Sequence, residues 1–212
     1  MWEALALPSF ARREGTGPVV VAIEGPNGVG KTTLVQSLCQ SLGAPGCLGI
    51  DEAWSAEPFK VRMIRDADWP ASAMFFLSGC GEQMRLVRSR PEPLVIMDRS
   101  VWSTLAVQAA LEPRRLTVLV AMLGPVAAWV RVPDLTLVLE ASLATCQARS
   151  AGKRGLARAL DGLNATEGYH TREREFYWWL GRQTAGVGFV QVDRLTVAEV
   201  ARRATAWVRR QL

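Results

Sequence analysis

A single α/β domain, with a five-stranded parallel sheet flanked by helices on both faces, is what this 212-residue sequence predicts. Three observations predict it. Short β-branched apolar runs alternate with longer helical stretches. The first run, PVVVAIE at 18–24, is continuously apolar between Gly17 and Gly25, as a central parallel strand covered on both faces must be. Glycine, proline or small polar residues punctuate the boundaries of later runs.

In chain order, a helix over 31–42 follows the first strand, and CLGID at 47–51 reads as the second. A helix over 70–90 leads through the breaker Pro91-Glu92-Pro93 to the strand LVIMD at 94–98. Helices over 100–110 and 115–131 come next, then LTLVLE at 135–140 after Pro133, and a helix over 142–150. A helix over 166–183, the strand GFVQVD at 188–193 and a helix over 196–211 complete the pattern. Right-handed crossovers wind such a chain into a doubly wound sheet whose ligands lie at the carboxyl ends of the strands.

Composition narrows the class. With 49% hydrophobic and 21% charged residues, the chain 1–212 can bury a core and is not a disordered segment. No run approaches the ~18 apolar residues of a membrane span. The opening MWEALALPSFARREG lacks a basic n-region and a long apolar core, so a cytoplasmic location is expected. Cysteines at 39, 47, 80 and 146 have no C-x-x-C spacing, and with one histidine a zinc cluster is not expected. Twenty-five basic against 20 acidic residues leave a net charge of +5, dispersed along the chain. This favours small anionic ligands; neither nucleic acid nor a membrane is an expected partner. Only three lysines occur, and one falls in the most informative segment: Lys31, against Lys60 and Lys153.

That segment follows the first strand at once. Gly25-Pro26-Asn27-Gly28-Val29-Gly30-Lys31-Thr32 is a complete G-x-x-x-x-G-K-[ST]. Its glycines permit backbone conformations and close approaches that a Cβ would block. Successive N–H groups and the start of the next helix then present positive dipole to a polyphosphate. Lys31 is expected to reach the β- and γ-phosphates, and the Thr32 hydroxyl to ligate Mg²⁺. ATP is therefore expected on Gly25, Asn27, Gly28, Val29, Gly30, Lys31, Thr32 and Thr33, with Mg²⁺ as cofactor.

The sequence resembles the thymidylate kinases in more than this loop. VAIEGPNGVGKTTL is similar to that family's opening, and MDRSVWSTLAVQ at 97–108 to its DR-x-x-S-x-x-A-Y-Q segment. PDLTLVLEASLATCQAR at 133–149 and FVQVDRLTVAEV at 189–200 resemble its later stretches, in the same order. The resemblance implies a P-loop kinase fold with a short LID over about 151–165, a homodimer, and transfer of the γ-phosphate of ATP to a nucleoside monophosphate. It assigns Asp98 to the metal and its waters, Arg99 to the acceptor's phosphate, Phe76 to stacking on the acceptor base and Arg149 to the adenine of ATP. LID arginines would come from 152–158, where Arg154 and Arg158 stand beside glycines. A cationic loop of this kind can close over a transferring phosphoryl group and exclude water.

Asp98, at the end of an apolar strand, can hold a hydrated Mg²⁺ or cap the next helix, a role Ser100 could fill instead. Arg99 suits a bidentate phosphate clamp.

Several positions depart from the family. Asn27 stands where aspartate is usual, DEAWSAEPF at 51–59 replaces R-E-P-G-G, Cys80 replaces a base-reading arginine, and Val107 replaces the tyrosine beside the sugar. An ordinary donor site with an altered acceptor site is the expected outcome, and the acceptor can be a modified pyrimidine nucleotide. The deoxynucleoside kinases carry E-R-S where this chain has Asp98-Arg99-Ser100. They place after the second strand an acid that takes the proton of a 5′-hydroxyl; Glu52 or Asp51 could serve that purpose, or Glu52 is a plain surface acid at a strand end. A kinase of another small metabolite and a slow nucleotide-hydrolysing switch remain open, although no GTP-reading N-K-x-D segment occurs. Trp54, Trp69 and Trp102 cluster near the acceptor side and can form a slot for a flat base or simply pack the core. Phe176, Tyr177, Trp178 and Trp179 are consecutive, so they point all round a helix, and His170 at its start reads as structural.

Overall fold

The computed structural model describes residues 2–11, 15, 17–55, 59–151 and 166–212. Strands β1 (Val19–Glu24), β2 (Gly46–Leu48), β3 (Leu94–Asp98), β4 (Leu135–Glu140) and β5 (Val187–Gln191) form one parallel sheet in the order β2-β3-β1-β4-β5. The described helices are α1 (Lys31–Leu42), α2 (Phe59–Arg65), α3 (Trp69–Arg88), α4 (Val101–Leu111), α5 (Pro113–Leu123), α6 (Leu143–Ser150), α7 (Glu167–Gln183) and α8 (Val197–Gln211). None of them is long and apolar enough to cross a membrane.

Side-chain alternation on β1 explains the layers. Val21 and Ile23 point to one face and pack with Leu34, Leu38, Leu137, Leu139, Ala204 and Val208, the side covered by α1 and α8. Val20 points to the other and meets Met84 and Val87 of α3. Farther along that second face, Trp102 and Leu105 of α4, Leu116 and Leu119 of α5, and Phe176, Tyr177 and Trp179 of α7 form a cluster as large as the one on the first face. The helix after β1 thus lies on one face and the helix after β3 on the other. Because β1 and β3 are neighbours, their exit loops diverge and leave a crevice between them, where such sheets bind ligands.

Local chemistry sets the ends of the helices. Ser100 accepts from the Trp102 N–H and caps α4, Thr166 caps α7, and Thr196 with Glu199 forms a reciprocal capping box on α8.

The structure differs from the sequence expectation at four places. β2 is only Gly46–Leu48: the Gly49 N–H makes the last ladder-like bond, to Asp98 O at 2.8 Å, and β3 itself ends at Asp98. Residues 50–51 therefore have no strand to pair with. The expected helix 115–131 begins at Pro113 and gives way at Gly124-Pro125 to a 3-10 turn, Gly124–Trp129. β5 lies at Val187–Gln191 rather than 188–193. Helix α2 is an addition to the expected pattern; only seven residues long, it buries none of them fully.

Trp102 is 1% exposed, meets Phe10 edge-on at 5.6 Å and fills the centre of the second face. Trp102→Ala should cost about 3–5 kcal/mol of stability. The urea midpoint should fall accordingly; a change under about 1 kcal/mol would contradict this placement.

Candidate active site

The loop between β1 and α1 owes its path to glycine. Gly25 and Gly28 have φ of +124° and +83°, and a Cβ on either would drive into backbone: the Leu139 carbonyl for Gly25, the Cys146 carbonyl for Gly28. Lys31 curls back across this loop, its Nζ donating to Gly25 O and Pro26 O at 2.7 Å each. The Thr32 hydroxyl, one residue on, donates to Asp98 Oδ2 at 2.6 Å. Two hard oxygens from different strand exits are thus brought together, Asp98 being 8% exposed.

Arg99 follows with a φ of 72°, the one described non-glycine residue in the left-handed region. Such a conformation costs on the order of 1–3 kcal/mol. It lets the chain enter α4 at Ser100 while the guanidinium stays at the crevice. Nη2 donates to Asn27 Oδ1 and Nη1 to Ser103 Oγ, the latter at 3.3 Å. The amide at position 27 therefore tethers Arg99.

Behind these residues lies a carboxylate with no exposed surface. Glu24, the last residue of β1, accepts hydrogen bonds from Ser100 Oγ at 2.6 Å, Ser103 Oγ at 2.5 Å and Tyr177 OH at 3.0 Å. Burial raises its pKa above the ordinary carboxylate value, opposed by these bonds and by the charge of Arg99. Glu173 of α7 is likewise buried, and desolvation pushes its carboxyl up to about 7 against the pull of Lys31 and Arg99. Desolvation and the charge of Arg99 push Lys31 down to about 7, against Glu173, Asp98 and Glu24.

A single cleft of about 960 Å³ joins this machinery to two further regions. On one side Arg149 bonds Val29 O at 2.9 Å and Val192 O at 3.3 Å, and Leu195, Val197 and Val200 continue the wall. On the other lie Leu48–Ile50, Lys60, Ile64, Ser72, Phe76 and Cys80, facing Ser103, Thr104, Val107, Gln108 and Leu111 of α4. Burial pushes the Cys80 thiol up to about 12, so it is a neutral wall group beside Thr104.

The cleft gathers most of the residues singled out from sequence: Asn27 to Thr33, Phe76, Cys80, Asp98, Arg99, Val107 and Arg149 all line it. Gly25 does not line it, but its carbonyl holds Lys31. Two expectations are corrected. Trp102 does not line the cleft: positions 103, 104, 107, 108 and 111 form the helical stripe that does, and 102 falls with 105, 106 and 109 on the core side. Glu52 is exposed on a 3-10 turn, Glu52–Ser55, outside the cleft lining, because the chain bends away where β2 ends. Of the other tryptophans, Trp54 packs at 5.4 Å from Phe75 and Trp69 lies under Arg115. His170 bonds the buried Ala141 carbonyl at 2.9 Å, a structural contact. Arg154, Arg158 and the LID lie outside the described residues.

Sequence reasoning missed Glu24, Glu173, Tyr177 and Gln108. Glu24 was legible as a charge ending an otherwise apolar strand, and Gln108 as a member of the 100–111 stripe that begins at Ser103; Glu173 and Tyr177 carry no such signal.

Sheet order, switch-point crevice and glycine loop together define the P-loop kinase fold. No protein-family model and no curated protein matches the sequence. Solved structures do. The thymidylate kinase of Candida albicans superposes with a TM-score of 0.72 at 16% identity, over 93% of this chain and 94% of that one. The deoxyadenosine kinase of M. mycoides with bound dCTP superposes with a TM-score of 0.68 at 17% identity, over 90% and 99%. The same enzyme with bound dATP gives 0.69.

Glu173 supplies a pH test. Its folded carboxyl keeps a proton up to about 7, against 4.5 ordinarily. Between those values the folded state binds more protons than the unfolded one, so stability falls as pH rises. Relative to Glu173→Gln, the wild-type unfolding free energy should decline between about pH 5 and about pH 7, at up to about 1.4 kcal/mol per unit. Parallel curves for the two proteins would contradict the burial argument.

Proposed function

We propose that the protein is an ATP-dependent phosphotransferase whose acceptor is a nucleoside monophosphate. The observation that carries this is the continuity of one cleft from the glycine loop, past Asp98 and Arg99, to the pocket between α3 and α4. A donor and an acceptor can then lie in line across Arg99, which is the arrangement phosphoryl transfer needs. The kinase structures with this fold support the reading.

Residue chemistry suits each role. Backbone N–H groups of the loop and the α1 N-terminus receive the polyphosphate, and Lys31, with two of its three N–H groups on loop carbonyls, has the third for a phosphate oxygen. Thr32 and Asp98 fit a Mg²⁺ ion that takes its other ligands from phosphate and water, two adjoining oxygens being what such sites provide. When bound, the ion neutralises charge on the β- and γ-phosphates. Arg149 and the apolar wall around Val200 would receive the purine. Arg99 holds the acceptor phosphate, whose oxygen attacks the γ-phosphorus as the bond to the β,γ-bridging oxygen breaks and ADP departs.

A monophosphate is favoured over a free hydroxyl because Asp98 is the one carboxylate among the described residues lining the cleft, and Thr32 engages it. A hydroxyl nucleophile would need a base; a phosphate oxygen is already anionic. Phe76 would stack on the acceptor base, and Cys80 and Val107 supply a small, neutral wall beside it.

With Mg-ATP, ADP release should rise with nucleoside monophosphates at least about tenfold more, in kcat/KM, than with the matching nucleosides. Lys31→Ala should lower turnover by about a hundredfold or more without changing the fold. Release that no acceptor stimulates, or full turnover in Lys31→Ala, would overturn the proposal.

A further inference from the structure

Gln108 is a polar side chain 5% exposed on the acceptor wall of the cleft, next to Val107. Its Oε1 accepts from Arg115 Nη1 at 3.1 Å. Arg115 is itself held from two sides: its Nε lies 3.4 Å from Glu112 Oε2, and its guanidinium packs 5.3 Å from the centre of the Trp69 ring. Its side chain is 23% exposed, so this is a partly buried brace.

A guanidinium donates and never accepts. Whichever end of the Gln108 amide touches Arg115 must therefore be the oxygen, and turning the amide over would set two donors against each other. The Nε2 group is left as the free polar end, with no hydrogen-bond partner among the described residues. A glutamine without such a brace can flip to suit either kind of base edge; this one is held donor-first.

We propose that Arg115 is a positioning residue that fixes the Gln108 amide so that its Nε2 donor meets the central ring position of the acceptor base's pairing edge, selecting cytosine and adenine over thymine, uracil and guanine. The proposal rests on the nucleotide-kinase reading above. The pairing edges of cytosine and adenine carry an unprotonated ring nitrogen at their centre, and those of the other three carry N–H there. With the Gln108 amine at that central position, a base N–H there makes no bond and leaves the donor unpaired beneath the bound base, which is worth roughly tenfold or more in discrimination.

The test compares kcat/KM for dCMP, dAMP, dTMP, dUMP and dGMP in wild type, Arg115→Met and Arg115→Lys, with thermal midpoints recorded for each. Methionine keeps an unbranched stem against Trp69 but frees the amide to flip; lysine keeps a pure donor. Wild type should favour dCMP or dAMP by at least about tenfold, Arg115→Met should bring the ratio toward one, and Arg115→Lys should retain most of it. A brace that served stability alone would lower the midpoint and leave the ratio intact, overturning the proposal. A wild-type preference for dTMP, dUMP or dGMP would overturn it while leaving the kinase reading standing. Phosphorylation of none of the five would overturn both.

Discussion

A carboxylate without solvent organises this site. Glu24 ends β1 at the point where the chain must leave the sheet, and three hydroxyls from α4 and α7 close on it. One of them, Ser103, also receives Arg99. The exit of β1, the first turn of α4, the aromatic ring of Tyr177 and the cation that faces the cleft are therefore one hydrogen-bonded unit. A buried acid costs several kcal/mol unless its partners are in place, and the left-handed turn at Arg99 adjoins this unit through the Ser103 hydroxyl. The glycine loop depends on the same junction, since Thr32 reaches Asp98, Arg99 reaches Asn27, and both acceptors lie within two or three residues of it.

The cleft divides into parts with different physics. Its centre is charged and polar: Lys31, Asp98 and Arg99, with Glu24 and Glu173 buried behind them. Charges of both signs at short range in a desolvated setting interact strongly, so a ligand phosphate entering there meets preoriented donors rather than mobile water. The flanks are mostly apolar, with Leu195, Val197 and Val200 on one side and Leu48, Ile64 and Phe76 on the other. Flat rings suit such walls, and the few polar groups in them settle which ring. On the flank between α3 and α4 these polar groups are Ser72, Ser103, Thr104 and Gln108.

What the sequence made legible was local in cause. The loop Gly25–Thr32 declares itself because Gly25, Gly30, Lys31 and Thr32 stand at the spacing of a G-x-x-x-x-G-K-[ST] motif, and Asp98-Arg99 because polar residues follow directly on an apolar run. Four of five strands were read within about two residues, since buried parallel strands are continuous apolar runs. What failed depended on tertiary placement. Trp102 and Val107 lie on one helix that is apolar nearly all round, so nothing local says which faces the cleft. β2 ends early because β3 ends, a fact about the neighbour. Glu24 and Glu173 become unusual only through burial by segments far away in the chain, and the bond from Arg115 to Gln108 crosses a tight junction between α4 and α5, which falls in the gap between the expected helices 100–110 and 115–131.

The central claim is that the amides between Gly25 and Thr33 hold a nucleotide's phosphates with Thr32 and Asp98 beside them. A crystal structure with Mg-ADP tests it most directly. The β-phosphate should lie within hydrogen-bond distance of loop N–H groups and of Lys31 Nζ, with the metal next to the Thr32 hydroxyl. Nucleotide lodged elsewhere, or none at saturating concentration, would contradict the account.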